Sequence, residues 1–328
     1  MIITRTPFRI SFAGGGSDLP SFYCHEQGAV LSTTIDKYMY IVIHPFFGGN
    51  KIQLKYSQTE LVENIDEIKH PILREALKIY GLQGVDINSI ADIPSGTGMG
   101  SSSSFTVGLL NAIRAYIGKF SSAEKLAKLA CHVEIDLIGS PIGKQDQYAA
   151  AYGGLNFISF HQDESVKVEK IIMNPVIKKQ LEDNLILVYV GGKHSSNEIL
   201  KAQSSSFIEK EKFNMQKRMV TLAYNLKDSL QSNNLDDFGH ILHEGWILKQ
   251  SMAKGISNSH ISDIYEHGLK AGALGGKLLG AGGAGFILFY CPKEKQENFH
   301  KQMAQLPKLR FSFENSGSQV IYIGDKLF

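Results

Sequence analysis

With 328 residues, 43% of them hydrophobic and 20% charged, the chain is long enough for two domains with a core in each and too apolar to be disordered. Thirty-four Lys and Arg against 32 Asp and Glu leave a formal charge of +2, which excludes a protein whose main task is to coat nucleic acid or an anionic membrane. Cys24, Cys131 and Cys291 are too scattered for a disulfide framework or a zinc set, and no signal core or long apolar run is present, so a cytoplasmic protein is expected.

Phe8 to Phe12, Ala29 to Thr34 and Tyr38 to His44 read as strands, with the polar turn Ala13-Gly14-Gly15-Gly16-Ser17-Asp18-Leu19-Pro20 between the first two. Residues 67 to 80 have a helical apolar face closed by Gly81, and a strand from Gly84 to Ile90 follows. The segment Pro94-Ser95-Gly96-Thr97-Gly98-Met99-Gly100-Ser101-Ser102-Ser103-Ser104 then runs into a helix over Phe105 to Ile117. Ser121 and Glu124 stand at capping-box spacing before a helix that reaches Leu137, and Gly143 to Tyr148 follow its end. A charged stretch precedes a strand at Leu185 to Val190, which puts a domain boundary at 178 and divides the chain into 1–178 and 179–328. The second half predicts helices over 195–230, 236–254, 259–271 and 293–305, and strands at Gly285 to Tyr290 and Gln319 to Ile323. Strands and helices interleave without regular alternation, so the fold class is α+β.

Glycine departs from average, at 32 residues where about 23 are expected. Thirteen lie in three stretches, Gly14 to Gly16, Gly96 to Gly100 and Gly272 to Gly285. Gly280 to Gly285 spell G-x-G-x-x-G, but read as following a helix and entering a strand, which is the reverse of a dinucleotide site; close packing or backbone approach to a ligand fits better. The Gly96 to Ser104 loop opens a helix, where unpaired N–H groups and the dipole suit phosphate, and a serine hydroxyl there can bind phosphate or Mg²⁺. It is no Walker A loop, since Gly-Lys-Ser/Thr is missing.

Glu134 and Asp146 are twelve residues apart. Phosphoryl transfer needs one carboxylate for Mg²⁺ and one for the attacking hydroxyl, although surface acids are commoner and spacing alone does not decide between them. Asp18, with nearby backbone amides, is either a grip for sugar hydroxyls or an ordinary Asx-turn acid. Ser122-Ala123-Glu124-Lys125 and Ser251-Met252-Ala253-Lys254 match S-x-x-K without its partner motifs, and the eleven histidines show no zinc spacing.

Together, Pro7 to Asp18, Pro94 to Ser104 and Lys277 to Gly285 resemble the three ordered motifs of the GHMP small-molecule kinase family. The resemblance implies a two-domain fold, with a ribosomal protein S5 domain 2-like N-terminal domain and a ferredoxin-like C-terminal domain. It implies an ATP-dependent kinase using Mg²⁺, with Asp146 as catalytic acid, Arg9 stabilising charge beside it, and Ser102 and Glu134 as metal ligands, Ser102 within a register open by one residue. Pro94, Gly96, Gly98, Met99, Gly100, Ser101, Ser102 and Ser103 would hold the nucleotide. Arg9, Gly15, Gly16, Ser17, Asp18, Asp146, Gly282 and Gly283 would meet the substrate. Gly-Gly-Gly-Ser-Asp replaces the Gly-Glu-His-Thr-Asp of galactokinases. The wording of Thr6 to Pro20 and of Ser32 to Tyr38 looks instead like the D-glycero-D-manno-heptose 7-phosphate kinases and, more distantly, L-fucokinase. That implies phosphorylation of an anomeric hydroxyl to give the 1,7-bisphosphate, a precursor of GDP-heptose. A substrate 7-phosphate needs a second anion site, for which Lys193, His194 and Lys144 are candidates. A non-catalytic sugar and nucleotide sensor on the same fold is the alternative of another class.

Overall fold

In the computed structural model, which describes residues 1–192 and 196–324, β1 (Ile2–Ala13) leads through the short helix α1 (Pro20–Tyr23) into the 18-residue strand β2 (Gly28–Pro45). β2 unites the two strands expected at Ala29 and Tyr38. Its Gly28 to Thr33 segment pairs with β6 (Leu155–Phe160) and its Met39 to Pro45 segment with β5 (Val85–Ala91), while β1 runs along its other edge. β3 (Ile52–Lys55) and β4 (Thr59–Val62) extend the sheet beyond β5, and among the described residues only the β3–β5 pairing is parallel. α2 (Pro71–Tyr80) begins at a proline and ends at Gly81, which adopts the left-handed conformation that closes helices.

α3 (Ser101–Tyr116) starts four residues earlier than its apolar period implied, because Gly100 turns the backbone left-handed and the serines supply the first turn. α4 (Ala123–Cys131) is capped by Ser122, whose hydroxyl accepts the Lys125 N–H at 3.2 Å, one position beyond the expected Ser121. One of the two S-x-x-K matches is therefore a helix cap. A π-helical continuation, His132–Leu137, carries Glu134 inward before α5 (Gln145–Tyr152). π segments inside helices are frequent at functional sites.

β7 (Val166–Lys170) pairs with β6, and α6 (Pro175–Asp183) spans the expected boundary at 178. β8 (Leu185–Gly191) opens a second sheet. The helical stretch expected over 195–230 comprises two helices, α7 (Ser196–Ser206) and α8 (Lys210–Gln231), followed by α9 (Phe238–Gln250) and α10 (Ser259–Lys270). β9 (Gly275–Leu278) and β10 (Gly285–Tyr290) flank the third glycine cluster, which thus joins two antiparallel strands rather than a helix and a strand. α11 (Gln296–Gln302) and β11 (Lys308–Leu309) complete a sheet of order β11-β8-β10-β9. The chain then returns: β12 (Phe313–Glu314) pairs with β2, and β13 (Gln319–Ile323) pairs with β1. These last strands fall after the expected 178/179 division yet belong to the first sheet.

The second half of β1 is buried on both faces, in contact with α3 and α5 from the first half of the chain and with α8 and α9 from the second. Any polar side chain there is enclosed by both halves of the molecule. Arg9 is such a residue, at 3% exposure.

Candidate active site

Arg9 lies buried in β1, and its guanidinium meets Asp146, in the first turn of α5, through two parallel bonds, Nε to Oδ1 at 2.7 Å and Nη2 to Oδ2 at 2.8 Å. Its third arm, Nη1, donates to the Gly98 carbonyl at 2.6 Å, and its backbone N–H donates to the Met99 carbonyl. A bidentate fork fixes a carboxylate in position as well as in charge. Residues 137 apart in sequence are thus locked to each other and to the glycine loop.

That loop covers Asp92 to Gly100, and Gly100 caps α3 so that the first-turn N–H groups of Ser101, Ser102 and Ser103 face away from the helix body without helical partners. Gly100 comes so near Asp146 that a Cβ on it would lie 3.2 Å from Oδ2. Ser102 and Ser103 both donate to Glu134, at 2.8 and 2.9 Å, and the Gln147 amide adds a third bond at 2.7 Å. Ser104 donates instead to the Pro7 carbonyl, which narrows the serines facing Glu134 to these two. Glu134 is 2% exposed and forms no ion pair among the described residues. Burial pushes its pKa above the usual carboxylate range, the three donors pull it down, and the negative charge of Asp146 adds to the rise.

The first glycine turn lies on the other side of Asp146. Asp18 is buried, its oxygens accepting the Gly16 N–H at 3.0 Å and the Gln145 N–H at 3.1 Å. The same carboxylate therefore holds the turn and the start of the helix that presents Asp146. Burial and then Asp146 raise its pKa, against those backbone bonds. Ser17 donates to the Gly14 and Ala29 carbonyls and accepts the Ala29 N–H, so its hydroxyl is occupied within the turn.

The third cluster closes on the second. A Cβ on Gly98 would lie 2.4 Å from the Leu279 carbonyl oxygen, and one on Gly280 would lie 2.4 Å from the Gly98 Cα. Gly282 abuts the backbone of Ile256, to whose carbonyl Gly283 donates at 3.0 Å. Lys144 is engaged elsewhere, over the Tyr23 ring and beside Glu164. Lys193 and His194 lie outside the described residues.

Two lysines escaped the sequence reading. Lys249 of α9 is 7% exposed and donates to the Gly280 carbonyl at 2.5 Å; Lys277 of β9 is 6% exposed and donates to the Phe12 carbonyl at 3.1 Å. A signal existed for the first: Phe238, Leu242, Trp246 and Lys249 share the buried stripe of α9. Burial and then the Arg9 charge push Lys249 down to about 8, against the attraction of Asp18 and Asp146, and burial, Lys249 and Arg9 push Lys277 well down. Lys249→Met should stabilise the fold at pH 7 by about 2 kcal/mol, a charge-burial penalty of ~3 kcal/mol offset by one lost hydrogen bond. Its folded-state pKa lies below the ordinary 10.5, so the wild type bears that penalty below about 8 and sheds it as pH rises toward 10.5. The advantage should be present in urea unfolding at pH 7 and largely gone at pH 10.

A helix N-terminus behind a glycine loop, facing a clamped carboxylate, is equipment for moving a phosphoryl group. The GHMP kinases N terminal domain family matches residues 52–154, and the GHMP kinases C terminal family matches residues 226–307. A D-glycero-alpha-D-manno-heptose 7-phosphate kinase of Campylobacter jejuni is 27% identical over 92% of this chain and 93% of its own. The bifunctional fucokinase/GDP-fucose pyrophosphorylase of Arabidopsis thaliana is 26% identical over 86% of this chain, which spans 29% of that protein. The crystal structure of a D-glycero-D-manno-heptose 1-phosphate kinase from Bacteroides thetaiotaomicron superimposes with a TM-score of 0.80 at 24% identity, over 99% of this chain and 100% of the other. The class is that of a small-molecule kinase. With both domain families matched in order over more than half its length, the chain belongs to the GHMP kinase family and has its two-domain fold.

Proposed function

We propose that this kinase transfers the terminal phosphoryl group of ATP to the 1-hydroxyl of D-glycero-D-manno-heptose 7-phosphate, giving the 1,7-bisphosphate and ADP. The observation that carries the chemistry is the Arg9–Asp146 fork, seated between the phosphate loop and the Gly14 to Asp18 turn. The likeness to the heptose 7-phosphate kinase over nearly the whole of both chains supports the substrate.

In this reading Asp146 orients the sugar hydroxyl and takes its proton as the new O–P bond forms and the bond to ADP breaks. Arg9 keeps both Asp146 oxygens in place and, through Gly98, ties them to the loop. The N–H groups of the Gly96 to Ser103 segment hold the phosphates. A buried carboxylate without an ion pair, beside a serine hydroxyl, is an all-oxygen donor set that fits Mg²⁺, so Glu134 and Ser102 would hold it. When bound, Mg²⁺ supplies positive charge to the phosphate oxygens. Gly15, Gly16 and Asp18 line the sugar side.

Purified protein with Mg²⁺ and ATP, offered heptose 7-phosphate, the unphosphorylated heptose, L-fucose and D-galactose, should release ADP fastest with the first. A preference of about 100-fold in kcat/KM is expected, with the new phosphorus signal at the anomeric position. A preference for L-fucose would move the assignment to a fucokinase-type enzyme, the reading favoured by the Arabidopsis relative. Binding of sugar and ATP without ADP release from any sugar would favour a sensor.

A further inference from the structure

α7 and α8 bring two buried glutamines over the first glycine turn. Gln216 of α8 is fully buried, and its Nε2 donates to the Gly14 and Gly15 carbonyls at 3.3 and 3.4 Å. Those two bonds fix the orientation of the amide, yet its Oε1 is buried without a hydrogen-bond partner. Gln203 of α7 is 1% exposed, and its Nε2 is likewise unpartnered. The two orphan atoms converge: a Cβ on Gly16 would lie 2.2 Å from Gln203 Nε2 and 2.9 Å from Gln216 Oε1. Burying a donor and an acceptor unsatisfied costs free energy that folding alone does not return.

We propose that Gln203 and Gln216 form a clamp for one hydroxyl of the sugar substrate, distinct from the hydroxyl that is phosphorylated. One amide lacks an acceptor and the other lacks a donor, and a hydroxyl provides both at once. A phosphate oxygen would satisfy Gln203 but set an acceptor against Gln216, and an ammonium would do the reverse. The clamp is contiguous with the reaction centre. Gln145, directly before Asp146, places its Nε2 3.7 Å from where a Gly15 Cβ would sit, so Gly15 and Gly16 connect the neighbour of Asp146 to the amide pair. A sugar with its 1-hydroxyl at Asp146 would meet the clamp with a more distant hydroxyl. The inference rests on the sugar-kinase reading and makes this pair a determinant of which sugar is accepted.

Gln203→Met, close in shape but without the donor, should raise KM for heptose 7-phosphate about tenfold, leave KM for ATP unchanged and leave the melting temperature equal or higher. Gln203→Asn, which draws the amide back by one methylene, should raise KM in the same way. Monodeoxy analogues localise the contact. One of them should be about tenfold poorer than the parent sugar with the wild type and no poorer with Gln203→Met. Unchanged sugar KM in an active Gln203→Met enzyme would mean that the amides hold only water and would overturn the clamp. So would a wild-type scan in which no analogue beyond the 1-deoxy sugar loses more than about twofold, and that scan requires no variant. Absence of turnover with every sugar by the wild type would instead strike the kinase reading itself.

Discussion

Asp146→Asn should cut turnover by about three to four orders of magnitude while leaving ATP affinity within about threefold. Asparagine is nearly the same size, so Arg9 keeps one oxygen partner and its bond to the Gly98 carbonyl, and the phosphate loop retains its shape. What disappears, in the proposed mechanism, is the acceptor for the proton of the attacking hydroxyl. Loss confined to kcat, with nucleotide binding intact by titration calorimetry, is the signature of a group acting in the transition state. Turnover within about tenfold of wild type would remove Asp146 from the chemistry and leave it a structural partner of Arg9.

The second large effect is expected at Gly98, where alanine should lower kcat/KM for ATP by about 100-fold or more and the melting temperature by several degrees. Gly98 has φ +81°, and a Cβ there would lie 2.4 Å from the Leu279 oxygen and 2.6 Å from the Leu279 carbonyl carbon, both backbone atoms that cannot rotate aside. The loop would have to lift from the third cluster, and because Gly98 anchors Arg9, the clamp on Asp146 would shift with it. Gly96 is the control: its φ is +78°, but nothing lies within 4 Å of an added Cβ. Gly96→Ala should therefore cost only the conformational term, about 1 kcal/mol. Equal effects at both positions in steady-state kinetics and thermal melts would show that backbone conformation, rather than contact between the clusters, matters.

How much of this was legible in the sequence depended on distance along the chain. The glycine turns, the loop opening α3 and the order of the three motifs are local patterns, and the family resemblance they carry is what pointed to Arg9, Glu134 and Asp146. The sequence reading leaves residues 35–37 between two strands, but β2 continues through them with an irregularity against β1, where Phe8 pairs with Ile35 and Pro7 with Tyr38, while Ile35 and Thr34 also pair with Phe313 and Glu314 from far along the chain. β9 was missed since Gly275 and Gly276 are poor strand formers, kept there by close approach to Gly239 and Leu288. Lys249 and Lys277 received no role from the sequence, because only the packing of α9 and β9 against β1 buries them. Gln203 and Gln216 lie in a polar helical stretch, and an uncharged amide gives no sign in sequence that it will be buried.

The return of β12 and β13 to the first sheet has a consequence for how the molecule is made. Ile2 pairs with Ile323 and Arg5 with Gln319, so the outer edge of β1 is covered only at the stage of folding when a segment more than 300 residues further along the chain docks on it. Thr6 and Asn111 likewise contact Ser318 only at that stage. The strand that carries Arg9 precedes both matched family segments and the strand that covers its edge follows them, so neither segment contains the whole of the first sheet. Pairing between segments so remote in sequence is typically slow to form.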